Sequence, residues 1–162
     1  MIQGVTPSLW FDSNAEEAAQ FYTSVFPNSR IGEIARYTDA GPGPEGSAMT
    51  VSFVVNGQEF IGINGGPVFQ FTPAISFVIN CETQDEVDYL WEALSSGGET
   101  EQCGWLRDRF GVSWQIVPTA LSRLMSDPDA EKAGRVAKAM LQMTKLDIAE
   151  LQRAYDGVES AV

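Results

Sequence analysis

The residues that could carry chemistry in this chain are Cys81 and Cys103, a scatter of carboxylates and four tryptophans, with no histidine at all. Histidine is the commonest metal ligand and the only side chain whose unperturbed pKa suits proton transfer near neutral pH. Any chemistry here must therefore do without imidazole. A nucleophilic cysteine needs a base or a lowered pKa. In Cys103-Gly104-Trp105 the nearest charged helpers by sequence are Arg107, Asp108 and Arg109, so an inert thiol is expected, and Cys81 at a strand end has less still to activate it. The acid pairs Glu16-Glu17 and Asp85-Glu86 fall in the first turns of expected helices, where they meet the positive end of the dipole and read as structural.

Two glycine-rich segments could bring a ligand close to backbone. Gly41-Pro42-Gly43-Pro44-Glu45-Gly46 has the G-x-G-x-x-G spacing of dinucleotide sites. That spacing works only where a strand turns into a helix N-terminus, whereas this one contains two prolines and runs into a strand-like stretch. A plain loop is expected, and no turn suited to a nucleotide or S-adenosylmethionine is visible. Asn64-Gly65-Gly66-Pro67 either admits a ligand to the backbone or simply links two halves of the chain, with Phe69 and Phe71 adding apolar surface beside it. Of the tryptophans, Trp10 and Trp105 are pocket candidates, and the others suit a core.

The elements that must position these groups recur in one order. Leu9-Trp10-Phe11 reads as a strand, and Asp12-Ser13-Asn14 starts a helix whose Ala18, Phe21, Tyr22 and Val25 recur at helical spacing up to Pro27. Arg30 to Tyr37 reads as a strand. Met49 to Val55 and Glu59 to Ile63 flank Asn56-Gly57, the pair a two-residue type I′ hairpin prefers. The second half repeats this order: Ile75 to Ile79 as a strand, a helix capped by Thr83 with the stripe Val87, Leu90, Trp91 and Leu94, then Thr100 to Cys103, Trp105 to Arg109, and Ser113 to Val117. Two β-α-β-β-β units roughly 65 residues apart indicate an internal duplication and an α+β fold of paired open sheets. From Thr119 the pattern turns helical, with one helix starting at Ser126-Asp127-Pro128 and another near Asp147, ending at Gly157. The expected organisation is a duplicated domain over 1–118, with modules of about 1–66 and 72–118, and a helical extension over 119–162.

Composition narrows the partners. The 162 residues, 44% hydrophobic and 20% charged, suffice for one domain with a real core. The 22 acids against 10 bases give a net charge of -12, which would repel phosphate backbones and anionic lipid, so neither nucleic acid nor membrane is an expected partner. Two cysteines form no disulfide framework, and the start of the chain has neither a basic nor an apolar leader, so a reduced, cytoplasmic setting is expected.

Thr6 to Asp12, Ala15 to Ala18 with Phe21-Tyr22, Val25 to Ser29, Asn64 to Pro67, Cys103 to Leu106 and Phe110 to Pro118 together resemble the PhnB-like branch of the vicinal oxygen chelate superfamily. This is the group of glyoxalases, bleomycin-resistance proteins and extradiol dioxygenases, and the branch often carries the label 3-demethylubiquinone-9 3-methyltransferase-like. The resemblance implies a glyoxalase-like fold in which paired modules form a cup. Many relatives hold a divalent metal there through a histidine at the start of a module's first strand and a glutamate near the end of its last. Here the corresponding starts, Thr6 to Ser8 and Ala74 to Ser76, lack histidine, Val68 stands where the branch often has one, and Gln115 stands at the glutamate position. A neutral amide is a poor substitute for an anionic oxygen, so no metal and no cofactor are expected.

The resemblance leads to a protein that binds a small, largely apolar molecule without metal, with Trp10, Asn64, Phe69, Cys103, Trp105 and Gln115 as pocket candidates. The alternative is a metal-independent lyase, isomerase or transferase in which Gln115, Asn64, Asp12 or Glu59 polarises or deprotonates a substrate. The methyltransferase label gains no support from the visible turns. A homodimer is expected by analogy with the superfamily.

Overall fold

The short apolar run after Pro7 forms the first strand, β1 (Ser8–Phe11), in the computed structural model of the chain, which describes residues 1–158. Asp12-Ser13-Asn14 then turn the chain into α1 (Ala15–Val25). Three strands follow: β2 (Arg30–Arg36), β3 (Ala48–Val55) and β4 (Gln58–Asn64). The β3–β4 register is set by Asn56-Gly57, both at positive φ (45° and 82°), the geometry whose twist matches the flanking strands. β1 runs parallel to β4, giving the order β1-β4-β3-β2.

Alternation along these strands decides which side chains meet the helix. Leu9, Phe11, Val51, Phe53 and Phe60 are buried, with Ala15, Ala18, Ala19, Tyr22 and Val25 of α1 buried as well. Tyr22 stacks on Phe53 at 6.1 Å, and Phe53 on its cross-strand partner Phe60 at 5.5 Å. Burying each such ring contributes roughly 1.5–3 kcal/mol. The intervening residues, among them Ser8, Trp10, Ser52, Ile61 and Ile63, occupy the other face and are exposed or half-buried.

The second unit repeats the plan with β5 (Ser76–Cys81), α2 (Gln84–Ser95), β6 (Glu99–Thr100), β7 (Trp105–Arg107) and β8 (Ser113–Pro118), ordered β5-β8-β7-β6. The duplication expected from element order is therefore present in strand topology. Thr83 caps α2 with a reciprocal bond to Glu86, and Val87, Leu90 and Leu94 are the buried stripe. The units are separately compact and divide between Phe71 and Thr72. No helix among the described residues is long and apolar enough to cross a membrane.

Five local expectations need correction. The strand expected from Ile75 runs instead from Ser76 to Cys81, leaving Ile75 73% exposed. Thr100 to Cys103 is not a strand, because the chain leaves the sheet after Thr100 and Cys103 adopts a left-handed φ of 60°. The strand from Trp105 stops at Arg107, where Asp108 begins a turn. Three helices rather than two make up the described C-terminal region: α3 (Thr119–Met125), α4 (Ala130–Leu141) and α5 (Ile148–Asp156). The cap of α4 is Asp129, which accepts from Glu131 and Lys132 amides, not Ser126 or Asp127. Leu121, Leu124, Val136, Leu146 and Leu151 form a core among these helices.

Asp108 is the polar centre of the second unit. Only 2% exposed, its carboxylate accepts from the Phe110 and Val112 amides and from Trp114 Nε1 at 2.8–3.1 Å. Asp108→Ala would leave these donors buried and unmet, and urea denaturation should show a loss of about 3 kcal/mol or more. Asp108→Asn, which keeps one acceptor oxygen, should lose less.

Candidate functional site

In the first unit, the residues around Gly65 and Gly66 come together through hydrogen bonds that only the tertiary fold supplies. Asn64, ending β4, accepts from the Ala15 amide at 2.8 Å and donates to the Ala48 carbonyl at 3.0 Å. Its side chain thus caps α1 and ties β4 to the start of β3. Trp10 Nε1 donates to the Gly66 carbonyl at 2.9 Å, and the indole lies so close to Gly65 that a Cβ there would sit 2.1 Å from the ring. Phe69 meets the edge of Trp10 at 5.0 Å and is 62% exposed. Three of the expected pocket residues, Trp10, Asn64 and Phe69, are therefore neighbours.

Beside them lies a cavity of about 310 Å³ lined by Asp12, Ser13, Tyr37, Asn64, Gly65 and Gly66, among others. Tyr37 donates its hydroxyl to the Asn64 carbonyl at 2.7 Å. The loop carrying the G-x-G-x-x-G spacing folds over the Tyr37 ring, and Gly43 is required there because a Cβ would lie 2.4 Å from it. The segment leads into β3 and meets no helix N-terminus, as expected of a plain loop. With both ends of the Asn64 amide engaged, Asp12 is the carboxylate in this lining.

In the second unit, register places Trp105 opposite Gln115, and Gln115 opposite Val78. These residues lie on the sheet face alternate to Trp114 and Ile116, which are buried. Gln115 Nε2 donates to Ser76 Oγ at 2.9 Å. Next to this pair, Ser113 stands opposite Ser76, and its buried hydroxyl has no partner. Arg107 is held by Glu99 and by Glu101, the latter at 3.9 Å.

The donor set does not fit the divalent metal that the resemblance implies for these positions. At the strand start stands a serine hydroxyl and at the carboxylate position an amide, which donates to that hydroxyl. Neither offers the imidazole nitrogen or carboxylate that such a site uses. Among the described residues, no cluster of three or more His, Cys, Asp or Glu could hold a metal ion.

The cysteines differ in accessibility. Burial, then the nearby Glu86 carboxylate, pushes the Cys81 thiol up to about 11. Cys103 is half-buried in the turn before β7. Sequence reasoning missed Tyr37, Ser113 and Ser76, whose roles depend on partners 27 to 39 residues away or on a buried position no local pattern reveals. Asp108 had a local signal, the Asp-x-x-Gly turn. At pH 8 a thiol reagent should modify native Cys103 and leave Cys81 unmodified, as peptide mass mapping would show.

Residues 3–117 match the sequence model of the family described as 3-demethylubiquinone-9 3-methyltransferase. Among solved structures, a PhnB protein from Bacillus cereus is 40% identical with a TM-score of 0.67, covered over 100% of its length by 72% of this chain. Protein PA1353 from Pseudomonas aeruginosa is 22% identical with a TM-score of 0.61, over 72% of this chain and 98% of that one. A fosfomycin resistance protein from Listeria monocytogenes, complexed with Mn(II), is 18% identical with a TM-score of 0.50, over 70% of this chain and 90% of that one. At those lower identities the likeness is one of fold. No curated protein matches the chain.

Proposed function

Because the chain belongs to the 3-demethylubiquinone-9 3-methyltransferase family, in the PhnB-like branch of the vicinal oxygen chelate superfamily, we propose that it binds a small, largely apolar molecule against the open faces of its sheets without using a metal. The observation that carries this reading is the Ser76–Gln115 hydrogen bond at 2.9 Å, a neutral pair at the positions where the superfamily resemblance implies metal ligands. Imidazole-free and uncharged, the pair offers a ligand a hydrogen bond at most. The surroundings favour apolar contact: Trp105 and the 52% exposed Val78 in the second unit, Trp10, Ile61 and Ile63 in the first. An aromatic ring on such a face supplies area at little entropic cost.

Methyl transfer is not part of this reading. The only G-x-G-x-x-G spacing in the chain precedes β3 rather than a helix, so its amides do not converge as a phosphate or methyl-donor cradle requires. Asn64, a candidate for polarising a substrate, is committed to Ala15 and Ala48. A binding protein needs neither group. We further propose a homodimer, as is usual in this superfamily, with a dimeric mass in light scattering as the expected result.

Elemental analysis of protein purified without chelator should find no stoichiometric divalent metal, and dialysis against chelator should leave Tm unchanged. One metal per chain would overturn the metal-free reading. A thermal-shift screen of aromatic and quinone-like compounds should find one that stabilises the protein by about 2.7 kcal/mol at a hundredfold excess over Kd. Failure across the screen would remove the binding reading. Trp105→Ala should weaken that compound roughly tenfold, about 1.4 kcal/mol.

A further inference from the structure

The C-terminal helices lie outside the matched family region, which ends at residue 117, and the Bacillus cereus chain is covered in full by 72% of this one. The second unit differs from the first in another way. In the first unit, the strands following the helix span 7 and 8 residues, whereas their counterparts β6 and β7 span only 2 and 3. A hairpin that short cannot hold its own register in water. Its turn is demanding as well, since Cys103 and Gly104 adopt left-handed φ of 60° and 81°, and a non-glycine residue in that region persists only where its surroundings enforce it.

The enforcing contacts come from the extension. The Cys103 amide donates to the Met143 carbonyl at 2.8 Å, and the Gly104 amide to the Thr144 carbonyl at 2.7 Å. Leu146 packs on Gly104 so closely that a Cβ would meet its side chain at 3.0 Å and the Ile116 carbonyl at 2.8 Å. The Gly104 carbonyl then accepts from the Ile116 amide at 2.8 Å, next to Gln115. The 143–148 segment is itself anchored. Gln84 donates to the Leu146 carbonyl at 3.1 Å and accepts from the Ile148 amide at 2.8 Å, while Lys145 pairs with Asp88 at 2.7 Å. The hydrogen bonds to Asp88 from Lys145, then Gln84, hold its carboxyl below the usual range.

We propose that the C-terminal extension is a clamp on the binding face: through Met143, Thr144 and Leu146, and the anchor Gln84, it fixes the Cys103–Gly104 turn and so holds Trp105 opposite Gln115. Gln84 and Leu146 act as positioning residues and touch no ligand. This inference rests on the binding reading for its purpose, but the clamp itself can be measured without a ligand.

The experiment compares the wild-type chain with Gln84→Ala and Leu146→Met by amide hydrogen exchange and by the Trp105 indole NH resonance, using Phe53 and Phe60 amides as internal controls. Gln84→Ala should speed exchange at Cys103 and Gly104 at least tenfold and shift the Trp105 indole, with the control amides unchanged. Leu146→Met, which keeps an apolar side chain against Gly104, should retain most of the wild-type protection. Unchanged exchange at Cys103 and Gly104 in Gln84→Ala, or acceleration of the control amides to the same degree, would overturn the clamp. Binding of 2-naphthol, followed separately, should weaken at least threefold in Gln84→Ala. If the wild type ignores 2-naphthol while the exchange results stand, the failure lies with that ligand class and not with the clamp, and equal binding by both proteins in the presence of a shifted indole would overturn the positioning role.

Discussion

A four-stranded sheet with one helix can bury only one of its faces. Everything in each unit follows from how that asymmetry is met. In the first, Tyr22, Phe53 and Phe60 stack on the covered side while Trp10, Ile61 and Ile63 occupy the other. In the second, Trp114 and Ile116 are buried, and Trp105, Gln115 and Val78 alternate with them. A strand shifted by one residue would exchange these sets, so the devices that hold register also decide what a ligand would meet.

Those devices are of two kinds, and the difference explains what the sequence disclosed. Asn56-Gly57 and the Thr83–Glu86 capping box act within a few residues, and both are legible in the sequence and present in the structure. The order of elements and the open-sheet architecture followed from such local signals. Asn64 acts otherwise: its type and glycine neighbours marked it as a ligand contact, but its amide bonds Ala15, 49 residues away, and Ala48, 16 away. Nothing near Asn64 in the sequence announces those partners. The same holds for the strand expected over Thr100 to Cys103, where the amides of Cys103 and Gly104 turn instead to the distant Met143 and Thr144 carbonyls.

The Ser76–Gln115 pair connects the composition of the chain to its site. Lack of histidine is a global fact, compatible with many folds. Within this fold it acquires a location, because the strand start and strand end where the superfamily resemblance implies metal ligands carry a hydroxyl and an amide joined by a hydrogen bond. A transition metal there would meet only neutral oxygen donors, a poor set beside imidazole and carboxylate. The unpartnered hydroxyl of Ser113 lies beside the pair, opposite Ser76 in register.

Whether a divalent ion seeks out this pair is read at the residues themselves by paramagnetic broadening with Mn(II). With substoichiometric Mn(II) added to the wild-type protein, the Gln115 side-chain amide and the Trp105 indole resonances should broaden no more than other surface groups. Selective loss of those two signals, restored by chelator, would contradict the central claim that this face works without a metal.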